Sequence, residues 1–325
     1  MFNRLLITGG TGFVGKALLH RLINTPASQR GFHEVAVLSR NPDLFLKQNK
    51  HLLEFNWLKF IAGDVLQPNT LRDLYADFVI HAAADSTLGP TLSSSARFEQ
   101  IVSGTNNVLQ MISESNVSRV LYLSSGAVYG ESSVNNKVHH ENDSCLMDPG
   151  SYNSTYGLAK AVSEHLHTLF SYENDIDFVI ARCFSFVGPD LPLDVHFAIG
   201  NFIRDALWAE EIVVKGDGSP MRTYLDQDDL ANWLLRLLVK GRSGETYNVG
   251  SDEVISMVDL AHLVGDLIAP DKSVRILGKA DPSHARNRYV PDISKARSEL
   301  GLDVTIPLAE SIRRSADAHR KSGSR

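Results

Sequence analysis

Short apolar runs punctuate the first 182 positions, at Leu5–Thr8, Glu34–Ser39, Leu58–Ala62, Phe78–Ala82, Val120–Ser124 and Phe178–Arg182. Between them lie segments with apolar residues at helical spacing: Gly15–Ile23, Asn69–Tyr75, Ala96–Ser115 and Ser154–Tyr172. In the last of these, Leu158, Val162, Leu166 and Leu169 share one side. Strand-length runs alternating with helices require parallel strands joined by crossovers. The pattern therefore predicts an α/β fold, a doubly wound parallel sheet whose ligand crevice lies at the carboxyl ends of its strands.

After Arg182 the rhythm changes. Pro189, Pro192 and the turn Gly216-Asp217-Gly218-Ser219-Pro220 interrupt it, and a smaller second lobe is expected to begin there. The helix Asp228–Val239 and the strand Thr246–Val249 read as a return to the first lobe. The expected division is 1–182 plus 222–250 for the first lobe and 183–221 plus 251–325 for the second.

Composition narrows the classes without changing this picture. A chain of 325 residues can bury a full core, and 43% apolar with 22% charged residues excludes disordered and collagen-like classes. The formal net charge of −6 argues against a nucleic-acid partner; the locally basic end from Arg313 to Arg325 reads as a solvated terminus. The densest apolar stretch, Leu230–Val239, is broken by Asn232 and Arg236 and falls short of the ~18 apolar residues of a membrane span. Two cysteines, Cys145 and Cys183, are too few for a disulfide framework, and no cationic-then-apolar leader precedes the first run. A soluble chain in reducing cytoplasm, with no membrane partner, is the expectation.

Candidate chemistry begins at the first strand's end, where Gly9-x-x-Gly12-x-x-Gly15 leads into a helix. A phosphate close to the backbone tolerates no side chain, and a helix amino end offers free N–H donors, so this turn suits a dinucleotide pyrophosphate. A tight strand-to-helix turn without a ligand is the plain alternative. About 20 residues on, where an acid would grip the ribose hydroxyls of NAD, the chain has Ser39-Arg40. A hydroxyl with a guanidinium favours the 2′-phosphate of NADP over NAD, a solvated loop arginine being the other reading. Asp64 suits the adenine amino group, or a turn cap.

Far downstream, Tyr156 and Lys160 are one helical turn apart. A phenol with a reference pKa of about 10 needs help to act as acid and base at neutral pH, and an ammonium on the same helix face favours its phenolate. Ser125 closes the set at a strand end, with its hydroxyl available to a substrate oxygen, while Ser124 is expected to bond backbone groups.

These residues resemble the extended short-chain dehydrogenase/reductase family, the NAD-dependent epimerase/dehydratase group that modifies nucleotide-activated sugars. The likeness is carried by Thr8-Gly-Gly-Thr-Gly-Phe-Val-Gly15, Gly63-Asp-Val65, His81-Ala-Ala-Ala84, Ser124-Ser-Gly-Ala-Val-Tyr-Gly130, Tyr156–Lys160, Arg182–Pro189, Arg222–Leu230 and Tyr247-Asn-Val-Gly250. The resemblance implies a Rossmann lobe holding NAD or NADP, with contacts at Gly9, Gly12, Phe13, Val14, Gly15, Ser39, Arg40, Asp64, Val65, Ala82, Ala83, Ala84, Tyr156 and Lys160. It implies a smaller lobe for the nucleotide sugar, with the diphosphate held by Arg222 and Arg288, or Arg286 as second choice, and Ser185 where the family often has Asn. By the same resemblance Tyr156 is the acid/base, Lys160 its tuner and Ser125 the substrate-hydroxyl partner, in a homodimer built on Ala96–Ser115 and Ser154–Tyr172.

Departures from the family pattern narrow the chemistry. Gly126-Ala127 replaces the Asp-Glu pair of the 4,6-dehydratases, which disfavours elimination of water, and Ile101 stands where Asn is common. A 4-ketoreductase acting on a 4-keto-6-deoxy sugar nucleotide is the expected activity, with a 4-epimerase that retains NAD as one alternative and a non-catalytic dinucleotide sensor as another. Cys145, Cys183 and His196 are further candidates for proton abstraction at other sugar carbons.

Overall fold

The computed structural model describes residues 3–84, 91–130, 138–145, 147–279 and 287–323. Arg286 lies outside these. The chain separates into two units: 1–130 with 147–182 and 231–247, and 131–146 with 183–230 and 248–325.

Among the described residues the central sheet has seven strands. In chain order they are β1 (Arg4–Thr8), β2 (Glu34–Ser39), β3 (Leu58–Ala62), β4 (Phe78–His81), β5 (Arg119–Ser125), β6 (Asp177–Cys183) and β7 (Glu245–Val249). Their spatial order is β7-β6-β5-β4-β1-β2-β3. β1 pairs in parallel with β2 and β4, β2 with β3, and β4 with β5. Leu5, Ile7, Val35 and Val37 are fully buried, and their alternate neighbours Leu6 and Ala36 are equally so, because helices cover both faces. One face packs Leu6, Leu38, Val79, Val120 and Ile180 against Val108, Leu109, Met111 and Ile112 of the helix Ser94–Ser113.

Strand order reverses at β1, whose neighbours β2 and β4 lead away in opposite directions. A crevice opens at the carboxyl ends of the strands at such a switch. This is the doubly wound sheet that the apolar pattern predicts.

One expectation needs correction and one element needs a fuller description. Asn69–Tyr75 is not a regular helix: only Pro68–Thr70 forms a 3₁₀ turn. Asp73 takes φ 62°, outside the right-handed helical region, and the Thr70 hydroxyl bonds back to Gln67 O and Asp64 O, ending the turn. In the helix Thr155–Asn174 the apolar side is only partly covered, Leu166 and Phe170 packing on the core while much of the buried face is polar. Val162 and Leu169 are exposed, whereas Gly157, Ala159, Lys160, Ser163, Glu164 and His167 face inward.

In the second unit Met221–Arg222 pairs antiparallel with Ile255–Ser256 and parallel with Arg288–Tyr289. The helix Gln227–Lys240 begins in this unit and ends in the first.

Candidate active site

A cavity of about 510 Å³ lies at the switch point of the sheet. Its wall contains Gly9, Gly12, Phe13 and Val14 from the turn after β1, Ser39 and Arg40 after β2, Asp64 and Val65 after β3, and Ala82, Ala83 and Ala84 after β4. Thr11, Leu38, Gly63, Leu66 and Gln100 complete it. None of these five was named as a contact in the sequence: Thr11 and Gly63 lie inside quoted motifs, Leu38 and Leu66 adjoin motif residues, and Gln100 comes from a helix with no motif of its own.

The glycine turn is shaped for close approach. Gly9 has φ +71°, and a Cβ there would stand 2.7 Å from Ala82 O. Gly15 is not on the cavity wall: a Cβ on it would meet Gly10 backbone atoms at 2.2–2.3 Å, so it sets how tightly the helix Phe13–Ile23 seats on the turn. That helix has Gly12 as N-cap with no side-chain cap bond and no acid in its first turn. Its amino end thus offers N–H groups and positive potential to an anion beside the cavity. The cradle fits a dinucleotide pyrophosphate.

Ser39 is nearly buried, with its hydroxyl 3.3 Å from that of Thr11, and Arg40 is exposed on the wall. Asp64 also caps its own turn, Oδ1 accepting from Leu66 N at 3.0 Å.

The proton-transfer candidates assemble where β5 ends. Ser125 is 7% exposed, and its Oγ accepts from Ala127 N at 3.2 Å. Tyr156 is half-buried at the start of the helix Thr155–Asn174. Gly157, next to it, packs on the turn after Ser125, since a Cβ there would stand 2.5 Å from Ala127 O. Lys160 is 4% exposed; its Nζ donates to Leu123 O at 2.7 Å and lies 4.9 Å from the Tyr122 ring centroid. Lys160 is therefore seated against the strand that carries Ser125, and the helical turn that carries Tyr156 packs on the turn after it through Gly157.

Beneath them is a buried polar layer that the motifs did not reveal. Ser124 donates to Glu164 Oε1 at 2.5 Å, not to backbone as expected. Glu164 is also gripped by Arg182 through Nε and Nη2, at 3.0 and 2.7 Å. Burial disfavours the charged guanidinium, but the hydrogen bonds and charge of Glu164 outweigh it and hold Arg182 above its ordinary pKa. A second chain joins Thr8 Oγ1 to His81 Nδ1 at 2.8 Å, His81 Nε2 to Thr105 Oγ1 at 3.3 Å, and Thr105 Oγ1 to Ser163 Oγ at 3.2 Å. Thr105 donates to Ser163, so His81 gives its Nε2 proton to Thr105 and accepts from Thr8 on Nδ1. Burial drives His81 well below its ordinary pKa, and His167 down to about 4. Both are neutral near pH 7. The available signal was spacing: Ser163, Glu164 and His167 follow Lys160 at helical intervals of three, four and seven.

Within the second unit, Arg222 donates from Nη1 to Met221 O and Asn287 O, at 2.8 and 3.2 Å, and burial lowers its pKa. Strand register sets Tyr289 opposite Arg222, and Arg288 opposite Met221. The Nε of Arg288 is buried with no acceptor among the described residues. Ser185 is half-buried, and its carbonyl accepts from Leu225 N at 3.0 Å. Cys145 is exposed, Cys183 is half-buried and the His196 ring lies tilted against that of Phe197, with centroids 4.2 Å apart. None of these three lines the cavity. No metal-holding cluster and no helix long and apolar enough to cross a membrane occur among the described residues.

A glycine cradle at the switch point, followed by a Tyr/Lys helix seated on β5, is the arrangement that comparison with known proteins places. The model of the NAD dependent epimerase/dehydratase family matches residues 5–250. The chain belongs to this family. UDP-glucuronic acid decarboxylase 6 of Arabidopsis thaliana is 29% identical over 314 residues, spanning 95% of this chain and 86% of that protein. The crystal structure of DesIV, a dTDP-glucose 4,6-dehydratase from Streptomyces venezuelae with NAD and TYD bound, superposes with TM-score 0.82 at 27% identity, over 99% of this chain and 98% of that one. UDP-glucose 4-epimerase of Thermotoga maritima, solved with UDP-glucose, shares the fold with TM-score 0.82 at 22% identity, over 98% and 99% of the two chains. As a family member the protein is a nucleotide-sugar enzyme of the extended short-chain dehydrogenase/reductase type.

Proposed function

We propose that this epimerase/dehydratase family enzyme is a 4-ketoreductase acting on a nucleotide-linked 4-keto-6-deoxy sugar, with NADPH preferred over NADH. The observation that carries the reading is Ser39-Arg40 on the cavity wall, where a carboxylate would serve the ribose diol of NAD. A guanidinium beside two hydroxyls, Ser39 and Thr11, offers an additional phosphate a charge-assisted site. Gly126-Ala127, in place of an acid pair, supports reduction over loss of water.

The nicotinamide supplies hydride to the sugar carbonyl when bound. Gly9, Gly12, Phe13 and Val14 would hold its pyrophosphate, Ser39 and Arg40 its 2′-phosphate, and Asp64, Val65 and Ala82–Ala84 the flanks. Tyr156 gives its phenolic proton to the oxygen that becomes the C4 hydroxyl, Ser125 orients that oxygen, and Lys160 stabilises the phenolate left behind. In the second unit, Arg222, Arg288 and Ser185 hold the substrate's diphosphate; the buried Nε of Arg288 gains the acceptor it needs. A homodimer through Ser94–Ser113 and Thr155–Asn174 would cover the exposed Val162, Leu169 and Tyr172.

The test is incubation with NADPH or NADH and a panel of nucleotide-linked 4-keto-6-deoxy sugars, following absorbance and product stereochemistry. Stoichiometric loss of NADPH supports reduction. With the corresponding 4-hydroxy sugars and NAD supplied instead, their interconversion without net loss of cofactor would support the second reading, a 4-epimerase retaining NAD, the cofactor bound in the DesIV structure. A dinucleotide sensor would show neither, and its properties would survive Tyr156→Phe.

A further inference from the structure

Arg97 stands in the first turn of the helix Ser94–Ser113, and its guanidinium carbon lies 4.3 Å from the centroid of the Tyr156 ring. For a purely structural residue this is an unfavourable place. The amino end of a helix carries partial positive charge, which opposes a cation there, and this turn has no acidic residue to offset it. Among the described residues no carboxylate forms an ion pair with Arg97. Its partner is the tyrosine face.

We propose that Arg97 is a positioning residue for Tyr156, holding the ring by its face and supplying a second positive charge that favours the phenolate. This rests on the reading of Tyr156 as acid/base. A cation over an aromatic face is attracted by the ring quadrupole, and the attraction grows when the phenol loses its proton, because the oxygen's negative charge spreads into the ring. Among the described residues, the titratable and charged groups near Tyr156 include Lys160 one turn on along the same helix, Tyr122 from β5, which is electrostatically coupled to Tyr156, and Arg97 from the facing helix. Lys160 commits part of its charge to β5, to Leu123 O and the Tyr122 ring. Arg97 commits its charge to Tyr156. The side chain is half-buried, so its planar donors remain within reach of solvent while its face is occupied.

The experiment compares the full-length protein with Arg97→Gln, Arg97→Lys and Tyr156→Phe. Each is titrated with base while tyrosinate absorbance is followed, and the difference from Tyr156→Phe isolates the Tyr156 component. NADPH turnover with the most active 4-keto sugar nucleotide of the panel is measured across pH, and NADPH affinity confirms that each variant is folded. Arg97→Gln is expected to raise the Tyr156 midpoint by roughly half a pH unit and to move the limb of the kcat profile the same way. Arg97→Lys is expected to restore most of that shift. An unmoved midpoint and profile in Arg97→Gln, with turnover lost in Tyr156→Phe, overturns the role of Arg97 alone. Unchanged turnover in Tyr156→Phe overturns the acid/base reading, and the proposal with it.

Discussion

Glu164 and Arg182 form a two-point ion pair, Nη2 to Oε2 at 2.7 Å and Nε to Oε1 at 3.0 Å, with each side chain about one-tenth exposed. Removing either partner strands the other charge in the interior. Glu164→Ala is expected to cost about 3–5 kcal/mol, read from urea denaturation, and to lower turnover because Ser124 loses its acceptor beside Ser125. A cost below about 1 kcal/mol would show the pair to be incidental.

Acid should destabilise the fold through His81 and His167. Both are fully buried and held below their ordinary value of 6.5, His167 at about 4. The unfolded chain takes up protons as pH falls through about 6.5 while the native state refuses them, so stability is full above that value and declines toward 4. The loss between pH 7 and 5 is on the order of 2–4 kcal/mol for the pair. Urea midpoints at the two pH values check this, and His167→Gln should flatten the slope.

Lys160→Met removes a buried ammonium that faces both Tyr122 and Leu123 O. Turnover should fall by roughly 10²–10⁴-fold, while NADPH binding weakens far less. Stopped-flow reduction separates the two effects. Equal losses in both would make Lys160 a binding residue only.

Substituting glycine distinguishes strain from cradle. Gly9→Ala sets a Cβ against Ala82 O and should weaken NADPH binding, seen by calorimetry, by at least about tenfold. Gly31→Ala has φ +79° but open space around it; it should cost about 1 kcal/mol of stability and leave cofactor affinity unchanged.

Arg40→Ala tests the cofactor reading. NADPH affinity should fall about tenfold and NADH affinity less than about twofold. Equal effects on both would remove Arg40 from phosphate recognition.

The sheet was legible because strands buried on both faces leave continuous Val, Ile and Leu runs, as in Leu5–Ile7 and Val35–Leu38. The glycine turn and the Tyr156/Lys160 spacing were equally plain, since each is local in sequence. What the sequence concealed was long-range. Glu164 meets Arg182 and Ser124 only once β5 and β6 lie side by side, and Thr8 meets His81 across β1 and β4. The inward face of Thr155–Asn174 was hidden for the same reason. Periodicity marks apolar positions only; Leu166 and Phe170 do pack on the core, but much of the buried face is polar and meets Leu123 O, Ser124 and Thr105 from distant elements. Asn69–Tyr75 failed as a helix because one residue, Asp73, leaves the right-handed region.

An interface of leucines can slide by a fraction of an ångström at little cost, whereas a hydrogen bond is directional and tolerates only narrow angles. The helix that presents Tyr156 is keyed to β5 by Lys160 on Leu123 O and Glu164 on Ser124, and to the neighbouring helix Ser94–Ser113 by Ser163, which accepts from Thr105. Those three bonds act like the teeth of a key, fixing both the rotation of the helix and its advance along its axis. The helix that carries the phenol is thereby fixed in register, and a chain that drifts in sequence at the exposed Val162 and Leu169 keeps that setting.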